Sequence, residues 1–401
     1  MQETQYKAYK FRFYPTPEQE ALLLRTFGCV RLVYNKALDV RQKQWSEHNI
    51  PVSYADTSRM LTQWKKDPTL SFLNEVSSVP LQQAIRHLQN AYTGFFNKTS
   101  GYPKFKSRKG KQSATFMPTA FTLKGRALKL AKMREPLDVR WSRELPQGQP
   151  SSVVVSLDKA GRWHVVLKME EAIDHLPESD SHVGIDLGLR DFAVTSGGEK
   201  FSAPSISAKE KARIRRAEKE LARRQKGSRN SEKSRRKLAR VHAKIADRRR
   251  DFNHKLSTRL IRENQVITVE SLNVKGMMSQ GGASKRGLNR AIGHASWAEF
   301  VSMLEYKSRW YGRTLVKLDQ WYPSTQICST CGAQTGPRGD LSVRSWQCSH
   351  CLAQHNRDVN AAVNILAAGH AVLACGDGRR LRHMPKRLSL KQESPGFSRG
   401  E

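Results

Sequence analysis

Three carboxylates in this chain could together do metal chemistry. Asp186 lies in "SHVGIDLGLRDFAVTS", Glu270 in "QVITVESLNV", and Asp358 begins "RDVNAAVNILAAGH". The first two fall inside apolar, strand-like runs and the third at the start of a helix-like one. Acids so far apart in sequence can converge at one edge of a sheet. There they would offer hard oxygen ligands to divalent cations. Two ions so held, Mg²⁺ or Mn²⁺, can activate water and stabilise the leaving oxygen in phosphodiester hydrolysis. Each acid also has a purely structural reading; Asp358, for example, suits a helix start because it complements the helix dipole. The three together, in a chain of net charge +34, point to a metal-dependent site.

A second constellation is sharper. In "CSTCGAQTGPRGDLSVRSWQCSHC", Cys328 and Cys331 form one C-x2-C pair, and Cys348 and Cys351 form another. Such pairs sit on short knuckles that can present four thiolates to one tetrahedral zinc. Four thiolates leave no open coordination position, so that ion would be structural. An iron–sulfur cluster fits the same spacing without supporting context, and disulfides suit a reducing compartment poorly. Cys29 and Cys375 have no such spacing and read as free thiols.

These residues need elements to position them. "YKAYKFRFYP" alternates as a strand, and Thr16, Pro17 and Gln19 then spell a capped helix start. Leu22, Leu23, Phe27, Val30, Val33, Tyr34 and Leu38 give that helix an apolar face. Helical patterns continue to about residue 96, followed by "KTSGYPKFKSRKGKQS", a basic loop with aromatics interleaved. Residues 116–170 turn to strand patterns and end in a hairpin with its turn at Asp158 to Gly161. From 183 a second hairpin opens, with Val183 and Ile185 on one face and Phe192 and Val194 on a half-buried return strand. Residues 207–262 form two very basic helical stretches broken at "KGSRN", with an apolar stripe of Leu238, Val241, Ile245, Phe252, Leu256 and Leu260. "GMMSQGGASKRG" reads as a flexible basic loop, "SWAEFVSMLEYKSRWYGR" as an amphipathic helix and "TLVKL" as a strand. The tail after about residue 376 reads as disordered.

Composition narrows the partner. Lys and Arg number 70 against 36 Asp and Glu, and the isoelectric point is near 10.3. That excess favours a polyanion, nucleic acid first. No long apolar span, signal peptide or lipidation motif is present, so a membrane partner is not expected. The expected location is the cytoplasm, associated with the nucleoid.

"VGIDLGLRDFAV", "ITVESLNV", the two knuckles within "PSTQICSTCG…WQCSHC" and "HNRDVNAAVNIL" resemble the RuvC-type core of the transposon-encoded TnpB family, and occur in that family's order. "TFGCVRLVYNKAL" and "GYPKFKSRK" resemble its N-terminal and basic motifs, so the likeness runs from about residue 6 to 370. It departs in "HNRD", where the family often has an acidic residue before Arg. TnpB proteins are RNA-guided DNA endonucleases related to type V CRISPR effectors.

The resemblance implies a multidomain α/β protein. Its RNase H-like RuvC nuclease core would comprise residues 181–326 and 353–370, with a zinc-binding ribbon inserted at 327–352. A β-barrel wedge domain would come from 1–14 and 116–180, a helical recognition lobe from 15–115, and a basic tail from 371–401. Asp186, Glu270 and Asp358 match the catalytic acids, and Cys328, Cys331, Cys348 and Cys351 match the zinc ligands. The implied partners are a guide RNA from the element end and target DNA, with the protein a monomer. Tyr54, Gln82 and Gln83 are candidates for reading a short target-adjacent motif, since Gln can pair bidentately with adenine. Tyr102, Lys104, Lys106 and Arg108 are candidates for gripping phosphates. A non-cutting DNA-binding regulator of transposition, or an unguided RuvC-like nuclease that reads DNA shape, would share much of this pattern.

Overall fold

The computed structural model describes residues 3–279, 285–338 and 342–375. The expected disordered tail from 376, and the middle of the expected loop at 280–284, lie outside the described residues. The chain divides into two compact units, Met1–Ile173 with Ile206–Ile245, and Asp174–Ser205 with Ala246–Glu401.

The first unit begins with β1 (Glu3–Tyr14), α1 (Pro17–His48), α2 (Tyr54–Lys66) and α3 (Ser78–Phe96). Thr16 caps α1 through the Gln19 N–H, and the Gln19 side chain accepts from the Thr16 N–H, the reciprocal box its sequence predicts. The strands β2 (Gln112–Phe116), β3 (Phe121–Lys124), β4 (Ala127–Leu130), β5 (Asp138–Arg140), β6 (Ser152–Leu157) and β7 (Trp163–Ile173) follow. Four of them join β1 in an antiparallel sheet in the order β2-β6-β7-β1-β5, and β3 and β4 pair as a separate hairpin. The β6–β7 turn is closed by Asp158, whose carboxylate accepts from the Ala160 and Arg162 N–H groups, while Gly161 takes the φ of +78° the turn requires. Phe11, Phe13, Phe27, Leu38, Leu81, Val155 and Leu167 belong to its core. Helix α4 (Ala208–Ala222) and the first part of α5 (Arg229–Glu263) group with this unit.

The second unit is built on β8 (His182–Asp186), β9 (Ala193–Thr195), β10 (Lys200–Phe201), β11 (Val266–Glu270) and β12 (Thr314–Leu318). The sheet order is β10-β9-β8-β11-β12; β8, β11 and β12 run parallel, and β9 returns antiparallel to β8. Every residue of β9 is buried, so the return strand is fully enclosed rather than half-buried. Helices α6 (Val274–Ser279), α7 (Arg286–Ala295) and α8 (Trp297–Tyr311) lie between β11 and β12 in the chain. The expected loop at "GMMS" is therefore helical. Asn273 starts that turn by accepting the Gly276 N–H at 2.9 Å. The short pair β13 (Ser345–Gln347) and β14 (Gln354–Asn356) leads into α9 (Arg357–Ala374), which packs on β8 and β11. No helix among the described residues is long and apolar enough to cross a membrane.

Candidate active site and metal centre

Strand register brings the first two acids together. β8 and β11 run parallel with Ile185 opposite Val269, so Asp186 and Glu270 are the next residues on adjacent strands. In open parallel sheets this C-terminal edge is where ligands bind. A hydrogen bond joins the two carboxyl groups. Burial, then the Glu270 and Asp358 carboxylates, push the Asp186 pKa up to about 8, with Arg357 opposing. Burial likewise raises Glu270. Like charges so enclosed cannot both ionise without a proton or a cation between them. A divalent cation suits that need, and all the donors are hard oxygens.

Asp358 arrives from α9. Asn356 caps this helix by accepting the Val359 N–H at 3.2 Å, placing Asp358 in the first turn. Two glycines let the helix lie close to the sheet. A Cβ on Gly184 would collide with the Ala362 carbonyl and approach the Leu366 nitrogen to 2.6 Å. A Cβ on Gly369 would meet the Thr268 hydroxyl and come within 2.7 Å of its methyl. The Asp358 carboxylate pairs with Arg344 at 3.4 Å, and the Arg344 carbonyl accepts the Arg357 N–H at 2.8 Å. Arg344 carries no sequence pattern that announces a role. Arg344 becomes visible only when the β13–β14 pair folds back beside α9.

The four cysteines converge as their spacing predicts. Their ligand atoms all lie within 4.8 Å of one another, the one such group of three or more found among the described residues. The two knuckles are built alike. The Cys328 N–H donates to the Ala333 carbonyl at 2.8 Å, and the Cys348 N–H to the Ala353 carbonyl at 2.9 Å. Each turns through a positive φ, at Gly332 and at Leu352. The Thr335 hydroxyl contacts the Cys348 sulfur at 3.1 Å and holds its pKa down at about 5, while the pKa values of Cys331 and Cys351 are raised. His355 places Nε2 3.0 Å from the Cys328 sulfur, a neighbour the C-x2-C pattern does not reveal.

The knuckles are tied to the helix that carries Asp358. Asn360 accepts the Ser329 N–H at 2.9 Å and donates to the Ile327 carbonyl at 2.8 Å. Asn364 donates to the carbonyls of Ser324 and Ile327 at 2.8 and 2.7 Å. These asparagines share one helix face at a spacing of four, a signal "NAAVN" carries in plain sight.

The candidate nucleic-acid residues belong to the first unit. Tyr54 opens α2, and its ring lies beneath the Arg86 guanidinium at 5.9 Å; hydrogen bonding from Arg86 lowers its pKa. Gln82 is exposed and Gln83 half-buried on α3, one turn before Arg86. Lys104, Arg108 and Tyr102 are exposed. Lys106 differs: its ammonium sits 3.9 Å from the Tyr34 ring centre and is half-buried, which lowers its pKa.

Comparison with known proteins agrees with this construction. A family model described as "Probable transposase" matches residues 164–280, and one described as "Cas12f1-like, TNB domain" matches 297–365. A "Helix-turn-helix domain" model matches residues 1–49, although here that segment folds as β1 followed by the single long helix α1. A Streptomyces pristinaespiralis protein is 53% identical over 96% of both chains, and InsQ of Escherichia coli K12 is 32% identical over 95% of this chain and 98% of its own. Both are named "Putative RNA-guided DNA endonuclease". Among solved structures, a Cas12f1–sgRNA–target DNA complex shares the fold, with a TM-score of 0.55 at 15% identity, covering 90% of this chain and 98% of that one. Relatives this close along nearly their whole length place the chain in the TnpB family.

Proposed function

We propose that this protein is an RNA-guided DNA endonuclease of a transposon, cutting at the Asp186–Glu270–Asp358 site. The observation that carries the reading is the meeting of Asp186 and Glu270 on neighbouring parallel strands, with Asp358 brought to the same site by α9. Divalent cations held there would supply an activated water and neutralise charge on the leaving oxygen. The chain's own part is to fix the donors on rigid elements. Asp186, Glu270 and Asp358 would hold the cations, the strand pair losing its proton to solvent and Asp358 its pairing with Arg344. Arg344 is then left beside the site as a positive group for a phosphate.

The remaining assignments follow the same reading. The antiparallel sheet and hairpin of the first unit form the wedge, and α1 to α3 form the recognition lobe. The four cysteines hold one structural zinc. Lys104, Arg108 and the Arg-rich α4 and α5 bind phosphates without regard to sequence. Tyr54, Gln82 and Gln83, with Arg86 behind Tyr54, read the short flanking motif, while base pairing to the guide selects the target.

The test is to exchange the 3′ guide segment of the copurified RNA and supply both old and new targets in Mg²⁺. Cleavage should move to the new target beside the same short motif. Cutting that stays at the old target, or survives digestion of the RNA, would refute guidance.

A further inference from the structure

We propose that Phe95, Phe96 and Tyr102 form a stacking platform for unpaired bases of single-stranded nucleic acid. Helix α3 buries Tyr92 but leaves its last two residues outside; Phe96 is 72% exposed and Tyr102 43%. Exposed aromatics so close together ask for an explanation.

The chain around them is held rather than loose. The Gly94 carbonyl accepts the N–H groups of both Thr99 and Ser100, and Lys98 turns back at φ +58°. This reversal lays Tyr102 edge-on against Phe95 at 5.2 Å and against Tyr92 at 5.8 Å, with the two tyrosine hydroxyls 3.2 Å apart. Phe96 in turn lies near-parallel to Tyr92, at 6.3 Å. The loop beyond has no regular structure, yet Asn35 grips the Lys106 backbone at both N–H and carbonyl, at 2.8 and 2.9 Å. The Gln112 amide donates to the Arg108 carbonyl at 2.9 Å. A loop fixed in this way presents its aromatic faces already ordered, so little ordering entropy is lost on binding.

Charge selects the occupant. Between Glu75 and Glu135 the sequence has no acidic residue, while Lys98, Lys104, Arg108, Lys109 and Lys111 surround the aromatic cluster along the chain. A second copy of this chain would bring the same positive charge against itself. A strand of nucleic acid brings phosphates for the lysines and π faces for the rings, the pairing that sequence-tolerant single-strand sites use. The inference rests on the nucleic-acid reading above but not on cutting.

The experiment uses the full-length Asp186→Ala protein and three probes of one sequence: a DNA strand carrying 2-aminopurine, the same strand as RNA, and the DNA duplex. Phe96→Ala should weaken single-strand binding roughly tenfold or more. It should abolish the 2-aminopurine quench and leave duplex affinity and its salt dependence unchanged. Phe96→Trp should keep the quench, and Phe96→Leu should lose it despite remaining apolar. The DNA and RNA arms tell which strand the platform serves. Equal loss on strand and duplex, full binding by Phe96→Leu, or a dimer that Phe96→Ala converts to monomer would each overturn the platform. If the parent protein binds none of the probes in a salt-dependent way, the nucleic-acid reading falls with it.

Discussion

The carboxylate site and the cysteine cluster both gather like-charged ligands, but they are held together in opposite ways. Asp186 and Glu270 end two strands of a ladder whose hydrogen bonds exist without any metal, and Asp358 rides a helix locked down through Gly184 and Gly369. The knuckles rest on turn hydrogen bonds, the short β13–β14 pair, the small cluster of Cys328, Trp346 and Cys348, and the ties from Asn360 and Asn364. A site framed like the first can lose and regain the proposed cations with its frame intact, whereas the second gathers four thiols that the proposed zinc would hold together.

The contrast can be broken experimentally. The largest effect is expected at the thiolates, because a structural zinc can contribute on the order of 10 kcal/mol to a small metal domain. Cys328→Ser and Cys348→Ser should lower bound zinc from about one per chain to none and open residues 324–356 to proteolysis. Because Asn360 and Asn364 tie the knuckles to α9, cutting should fail as well, and added Mg²⁺ should not restore it. Elemental analysis that finds iron, or a stable zinc-free variant, would count against the assignment.

Next come the acids. Asp186→Ala, Glu270→Ala and Asp358→Ala should each reduce cleavage by roughly a thousandfold or more, since several kcal/mol of charge stabilisation leave with the metal. Nucleic-acid affinity and thermal midpoint should hardly change. Chelation followed by Mg²⁺ should revive the wild type. Substantial cutting by any one variant removes that residue from the mechanism.

The frame itself is a smaller term. Gly184→Ala places a methyl group against the backbone of α9, an overpacking of about 3 kcal/mol in the second unit. Denaturant unfolding should show that loss, and cleavage should fall with the displaced Asp358. A stability equal to wild type would mean that α9 can move away freely.

The smallest effect concerns a third buried charge, treated unlike the other two. Lys307 is buried in the second unit and donates to the His254 carbonyl and the hydroxyls of Ser257 and Thr258, at 2.7 to 2.8 Å. Burial lowers its pKa to about 8. The ordinary value is about 10.4, so between the two the unfolded chain holds a proton that the folded one has released. Stability should accordingly rise with pH across that window and lose the gain as pH falls through 8. Lys307→Met should flatten this slope and change stability at pH 7 by no more than about 1 kcal/mol. Both hydroxyls keep partners, because Ser257 already donates to the Asn253 carbonyl and Thr258 to that of His254.

What the sequence discloses follows from how local each determinant is. The N-cap of α1, the Asp158 turn and the paired cysteines are set by neighbours within a few residues, and all three form as read. Asp186 and Glu270 stand out because an ionisable group in an apolar strand is costly without a purpose. Arg344 stays hidden, because its place depends on β13 and β14 folding back beside α9, and "NAAVN" shows a shared face for Asn360 and Asn364 but not the Ser324, Ile327 and Ser329 backbone they hold. Lys106 is the reverse case. Its sequence neighbours suggest a phosphate contact, and only the fold shows its charge resting on Tyr34. The grouping of residues 206–245 with the first unit is tertiary too, since no local pattern separates that half of α5 from the rest.

The order in which the site's parts leave the ribosome has its own consequence. Asp358 follows Asp186 by about 170 residues. At 5–20 residues per second, that interval lasts roughly 10 to 30 seconds. Throughout it β8 has no α9 to close over Gly184, and once β11 is made the two strand carboxylates still lack their third partner. On the proposed function, the site is completed only after the basic segments of the first unit have emerged, so binding precedes chemistry in the making of each molecule.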